Sequence, residues 1–135
     1  EMQRSLVGSE MCIRDRQLPE WNVSSIAQRA GISALQDTEY EKRTRQLIEK
    51  ERRYLIQKFL KMGCTVFPSE ADYITFRLPQ EKTGFLLKER LLEGKILIRS
   101  CANYRNMPPD CYRIAVKQHA DNEELVRQVW RILIQ

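Results

Sequence analysis

Arg99 and Arg113 stand fourteen residues apart, each set in an apolar, strand-like run: Ile96-Leu97-Ile98-Arg99 and Tyr112-Arg113-Ile114-Ala115-Val116. A guanidinium keeps its charge and is costly to bury alone, so each must meet an acidic side chain, water or an anionic ligand. Two of them on neighbouring segments point to a pocket for a doubly anionic small molecule, since each fork can take a carboxylate or a phosphate bidentately. The bland alternative for either is a strand-edge arginine paired with a surface acid. Asn103 and Tyr104 follow closely enough to line the same pocket, although a loop asparagine also serves as a turn residue.

Other reactive chemistry has little material. His119 is the only histidine, which leaves little for a metal cluster or a nucleophile–histidine pair. Cys12, Cys64, Cys101 and Cys111 form no Cys-x-x-Cys pair, and they read as reduced thiols of a cytoplasmic protein. The net charge of +5 raises the question of nucleic acid. Residues 39–62 hold eight basic and four acidic side chains, but these interleave as Glu39/Arg43, Glu41/Arg45 and Glu49/Arg53. Such i,i+4 pairs, acid first, describe a solvated helix face, so a nucleic-acid partner is not expected. No apolar run reaches the roughly 20 residues of a membrane span.

The elements that would position the arginines can be read in order. Ser24 or Ser25 caps a helix through residue 35 whose Ala27, Ala30, Gly31 and Ala34 leave a flat face, fit for close packing or for a ligand. Thr38-Glu39-Tyr40-Glu41 has capping-box form and starts a long helix with Tyr40, Leu47, Ile48, Leu55, Phe59 and Met62 on one stripe, ended by Gly63. Strands are expected at 65–68, at 73–78 with Ile74, Phe76 and Leu78 inward, at 96–99 and at 112–116. A helix over 83–93, stopped at Gly94, gathers Phe85, Leu86, Leu87 and Leu91. A last helix from Asp121, with Glu124 in the capping-box position, buries Leu125, Val129, Ile132 and Leu133. The fold class is α/β, with helices packed on a small, mainly antiparallel sheet. Residues 1–16 have no period and no turn chemistry leading onward. They read as a non-native or disordered tail, similar to a translated adaptor sequence. Residues 17–63 form the connecting helix and the long helix, and residues 64–135 the small α/β domain.

Several segments resemble the C-terminal part of fold-type I pyridoxal-phosphate enzymes: Pro19-Glu20-Trp21-Asn22-Val23-Ser24-Ser25, Val66-Phe67-Pro68-Ser69-Glu70-Ala71-Asp72-Tyr73, Ile96-Leu97-Ile98-Arg99-Ser100-Cys101-Ala102-Asn103-Tyr104 and Tyr112-Arg113-Ile114-Ala115-Val116. Within that superfamily they are similar to the histidinol-phosphate aminotransferase family and, more closely, to the threonine-phosphate decarboxylase family of cobalamin synthesis. The resemblance implies the small C-terminal domain of such an enzyme. It also implies that Arg113 grips the substrate α-carboxylate and that Arg99 helps hold the phosphate, with Asn22 and Asn103 as further substrate-binding candidates. Arg105-Asn106 departs from the glycine that often follows the aromatic of that motif.

By the same resemblance the cofactor is pyridoxal 5′-phosphate, the substrate a phosphorylated amino acid, and the partners a large domain of the same protein and a second copy in a homodimer. The family's serine–lysine pair leading into a glycine-rich turn is not recognisable, and Lys82-Thr83-Gly84 does not match it. The expectation is therefore a truncated chain that is inactive alone and supplies substrate-binding arginines. The competing reading from another class is a small basic module that binds nucleic acid or a protein through the long helix.

Overall fold

The computed structural model describes residues 23–82, 86–108 and 110–134. The chain divides into two compact units, residues 1–40 and 41–135.

In the first unit, α1 spans Ser25–Gln36. Of the two candidates, Ser24 is its cap, with its Oγ accepting from the Ala27 N–H at 3.2 Å. None of its residues is buried, and Ile26 and Leu35 are 82% and 83% exposed. A Cβ added at Gly31 would meet nothing within 4 Å, so the flat face has no close neighbour among the described residues. The long helix α2, Thr38–Lys61, starts at the end of this unit. Asp37, not Thr38, caps it: Asp37 Oδ1 accepts from the Tyr40 N–H at 2.9 Å. A carboxylate is the stronger acceptor and adds a favourable charge at the helix's positive end.

In the second unit α2 buries Glu51, Leu55 and Phe59. Tyr40 and Leu47, expected on the same apolar stripe, are exposed. Sheet dimensions explain the difference. Strands of at most five residues run about 17 Å, enough to cover roughly three turns of a helix of 24 residues. The expected surface pairs are present at Arg45–Glu41, 2.6 Å, and at Arg53–Glu49. Gly63, at φ +79°, reverses the chain after α2, and its left-handed backbone suits glycine.

Four antiparallel strands follow: β1 Thr65–Val66, β2 Tyr73–Arg77, β3 Arg99–Ser100 and β4 Cys111–Ala115. Their order across the sheet is β1-β2-β4-β3. Strand alternation sends Ile74, Phe76, Tyr112 and Ile114 to one face, where they meet Leu55 and Phe59 of α2, Leu87 and Leu91 of α3 (Leu87–Glu93), and Leu125 and Val129 of α4 (His119–Ile134). Phe59 and Phe76 form the centre, ring centroids 4.3 Å apart. The result is helices on one face of a small antiparallel sheet, as the sequence implies.

Several boundaries differ from expectation. After a 3₁₀ turn, Gln80–Lys82, α3 begins only at Leu87; Phe85 lies outside the described residues, and Leu86 is exposed rather than core. The left-handed residue after α3 is Lys95, φ 61°, not Gly94. Its N–H bonds the Leu92 carbonyl and that of Ile96 bonds Leu91, which closes the helix and delays pairing, so β3 starts at Arg99 instead of residue 96. At the far end of β4, the Val116 N–H bonds the Asp72 carbonyl in the same register, one step beyond the last assigned pair, Tyr73–Ala115. Helix α4 starts at His119, two residues early, and Glu124 bonds Arg127 and Gln128 rather than closing a capping box. No described helix is long and apolar enough to cross a membrane.

Candidate anion-binding site

The sheet face away from the helices carries the two arginines. Arg99 on β3 and Arg113 on β4 are direct cross-strand partners, and Thr75 on β2 stands opposite Arg113 on its other side. The spacing of fourteen residues thus becomes a zero offset across a ladder. Arg113 is half-buried and Arg99 is exposed. Among the described residues no carboxylate forms an ion pair with either guanidinium. Like charges opposed across a ladder repel, so the two guanidiniums raise each other's demand for negative charge.

Each guanidinium instead lies over an aromatic ring. Arg113 Cζ is 4.7 Å from the centroid of Tyr73, and Arg99 Cζ is 5.4 Å from that of Tyr104. Both arginines line an open groove of about 1140 Å³, with Asn103, Ser100, Lys88, Lys95 and Lys117 on its walls. Asp72, Asp121 and Glu124 also border it, and Glu124 is already engaged by Arg127. The structure therefore brings together Arg113, Arg99 and Asn103. Asn22 lies outside the described residues. Tyr73 was missed as a site residue. Its signal was present, because it sits two residues before Thr75 on a strand, hence on the same face, but only the register with β4 reveals it.

A second polar cluster lies on the helical side. Glu51 is 1% exposed; His119 Nδ1 is 3.0 and 3.1 Å from its two oxygens, and Asn122 Nδ2 donates to Oε2 at 3.0 Å. Burial pushes the Glu51 carboxyl up, but the hydrogen bonds from Asn122 and His119 and the positive charges of His119 and Lys50 outweigh it and hold the group below its ordinary 4.5. The cluster fastens α2 to the start of α4, and through Asn122 it borders the groove. Burial pushes the Cys64 thiol up to about 12 and raises that of Cys111, so these are packed, unreactive thiols. A smaller groove of about 650 Å³ between α2 and α4, lined by Tyr54, Lys58 and Trp130 among others, carries charges of both signs.

A small antiparallel sheet is backed by helices on one face and carries a cross-strand arginine pair on the other. The chain belongs to the aminotransferase class I and II family, whose model matches residues 12–129. It is 35% identical over 122 residues to threonine-phosphate decarboxylase of Salmonella typhimurium, covering 90% of this chain and 33% of that one. It is 34% identical over 115 residues to histidinol-phosphate aminotransferase of Oleidesulfovibrio alaskensis, covering 84% of this chain and 30% of the relative. The crystal structure of histidinol-phosphate aminotransferase from Clostridium acetobutylicum superposes with a TM-score of 0.77 at 29% identity, covering 88% of this chain and 36% of that one. The chain thus spans about a third of the length of the relatives it matches.

Enzymes of this family work with pyridoxal 5′-phosphate. That cofactor needs a lysine for the imine, an acid for the ring nitrogen and donors for its phosphate. Of the groove's lysines, Lys95 and Lys117 are exposed and Lys88 is half-buried, and the buried carboxylate of Glu51 is already held by His119 and Asn122. The groove's lining carries five cationic and three acidic side chains.

Proposed function

We propose that this chain is the C-terminal, substrate-gripping part of a pyridoxal-phosphate enzyme acting on a phosphorylated amino acid. In this reading Arg113 takes the α-carboxylate and Arg99 the phosphate, with Asn103 on the groove wall and Asn22 as a further contact. The observation that carries it is the direct cross-strand pairing of Arg99 with Arg113, with no carboxylate partner among the described residues. A half-buried guanidinium suits the end of the substrate that must be oriented, and an exposed one suits a dianion that keeps part of its hydration.

Threonine-phosphate decarboxylation is the first candidate reaction, supported by the Salmonella relative and by the Ile98-Arg99-Ser100-Cys101-Ala102-Asn103-Tyr104 run. Histidinol-phosphate amino transfer is the second, supported by the superposition on the Clostridium enzyme. In either, a cytoplasmic homodimer with a large domain supplying the lysine is the expected whole. The deciding experiment recovers the upstream coding sequence and assays the complete protein with O-phospho-L-threonine and with histidinol phosphate. Carbon dioxide release from the first supports the decarboxylase, and transfer of an amino group from the second to a 2-oxo acid supports the aminotransferase. Neither activity, in a protein without an upstream imine-forming lysine, refutes the enzyme reading. Retention on DNA that falls steeply with salt would then favour the basic-module reading.

A further inference from the structure

The arginine pair is seated on two aromatic rings held in unlike ways. Tyr73 is on β2, where it pairs directly with Ala115 of β4, and its ring reaches Arg113 diagonally, two positions from Arg113's direct partner Thr75. Its backbone is further fixed at the start of the strand, where its carbonyl accepts from Ser69 Oγ at 2.5 Å. The Arg113 seat is therefore part of the ladder. Tyr104 belongs to the exposed stretch 102–106 between β3 and β4, closed by local turns: its N–H bonds the Cys101 carbonyl at 3.0 Å, and its own carbonyl receives the Met107 N–H at 3.3 Å. Asn106 in that stretch has a left-handed backbone, φ 65°.

We infer that Tyr73 and Tyr104 are positioning residues for the arginine pair, Tyr73 fixing Arg113 as a rigid acid-binding point and Tyr104 carrying Arg99 as an adjustable one. The inference rests on the reading above that this pair takes the two acid ends of one substrate. A ring under a guanidinium restricts it to an in-plane fork, and that order is acquired before the ligand arrives. The phenol oxygens are not required for this, only the rings. Arg113 thereby sets one fixed distance from the sheet, whereas Arg99 follows its turn and tolerates acid groups on arms of different length.

The test uses the 135-residue chain. Nitrogen-edited NMR of the arginine Nε–Hε signals reports the seats without ligand, because a guanidinium over a ring is shifted upfield. Arg113 and Arg99 should both show that shift, Arg113 losing it in Tyr73→Leu and keeping it in Tyr73→Phe, with Tyr104→Leu and Tyr104→Phe doing the same for Arg99. Titration then separates the roles. Tyr73→Leu should weaken O-phospho-L-threonine and L-threonine alike by about three- to tenfold. Tyr104→Leu should weaken only the phosphorylated ligand, and each phenylalanine variant should bind within about twofold of the parent chain. Anion binding with no upfield-shifted arginine overturns the seats while leaving the arginine pair intact. Shifted arginines in a chain that binds neither ligand remove the arginine-pair reading, and the positioning role falls with it. A Tyr73→Phe variant that binds as poorly as Tyr73→Leu assigns the effect to the hydroxyl and overturns the inference.

Discussion

Asn122 Nδ2 donates to Glu51 Oε2 at 3.0 Å and to the Lys117 carbonyl at 2.8 Å, while its Oδ1 accepts from the Lys117 N–H at 3.2 Å. One amide on α4 thus closes the turn leaving β4 and also holds the buried carboxylate of α2. Asn122→Ala would strip a charged acceptor of a buried partner and open that turn, at a cost of about 1.5–3 kcal/mol. Urea unfolding of the variant against the parent chain measures it, and a loss below about 0.5 kcal/mol would mean that water replaces the amide without penalty.

The same carboxylate gives the fold an acid-sensitive component. Glu51 has its folded pKa held below its ordinary 4.5. A group of that kind contributes stability that is fully present above the unfolded value and is lost as pH falls through the folded one. Stability should therefore hold from neutral pH down to about 4.5 and decline below it. Glu51→Gln should lower stability at pH 7, yet show a shallower decline between pH 5 and pH 3. Unfolding midpoints across that range decide it, and parallel curves for the two proteins would remove Glu51 from the acid response.

Left-handed backbone separates two glycine exchanges from each other. Lys95 sits at φ 61° with a side chain that such a conformation disfavours, so Lys95→Gly should stabilise the chain by about 1 kcal/mol. Gly63 at φ +79° should lose a similar amount as alanine, whereas Gly31→Ala, in a helix and facing open space, should strengthen α1 by about 0.5–1 kcal/mol. Thermal unfolding of the three variants tests the signs, and for α1 far-ultraviolet dichroism reports helix content directly. Lys95 also lines the anion groove, so the stabilised variant should bind anions more weakly, a cost expected where strain serves a site.

What could be read in the sequence is what depends on neighbours along the chain. The alternation of Ile74, Phe76 and Leu78 predicted the inward face of β2, and all three are buried. The arginines stood out because a charge in an apolar run is locally anomalous. What depends on pairing between distant segments was not legible: the zero offset of Arg99 and Arg113, the Tyr73 ring beneath Arg113, and Glu51 as a core residue all follow from register and from where a short sheet ends under a long helix. Lys95 in place of Gly94 as the left-handed residue is a smaller case, since glycine marks a helix end only to within a residue or so.

Burial should also set where the chain opens. Phe59 is fully buried against Phe76, so Phe59→Ala should cost about 3–5 kcal/mol, a large share of the stability of an ordinary domain, while Phe59→Leu leaves a foldable protein. α1 buries none of its residues and is held by its own hydrogen bonds and caps. Its amides should exchange with solvent orders of magnitude faster than those of residues 51–59 on α2. Hydrogen exchange read by mass spectrometry distinguishes the two segments, and equal protection would show that α1 is covered in solution.

The unopposed cross-strand charges lead to a prediction about anions that needs no enzyme activity. A ligand that binds only the folded chain stabilises it by an amount set by its concentration over Kd, about 2.7 kcal/mol at a hundredfold excess. Inorganic phosphate should therefore raise the unfolding midpoint in a saturating manner, and O-phospho-L-threonine should do so at lower concentration because it engages both guanidiniums. Sodium chloride at the same ionic strength separates this from general screening, since screening relieves the Arg99–Arg113 repulsion without saturating. Arg99→Leu should show little midpoint shift with inorganic phosphate, whereas Arg113→Leu should keep that shift and lose only the advantage of O-phospho-L-threonine. Its own stability should change by only a few tenths of a kcal/mol, because the repulsion it relieves opposes the loss of the Tyr73 contact. Calorimetric scans with and without each anion carry the test. A phosphate effect of the same size in Arg99→Leu would place the anion elsewhere on the basic surface and detach the arginine pair from substrate binding.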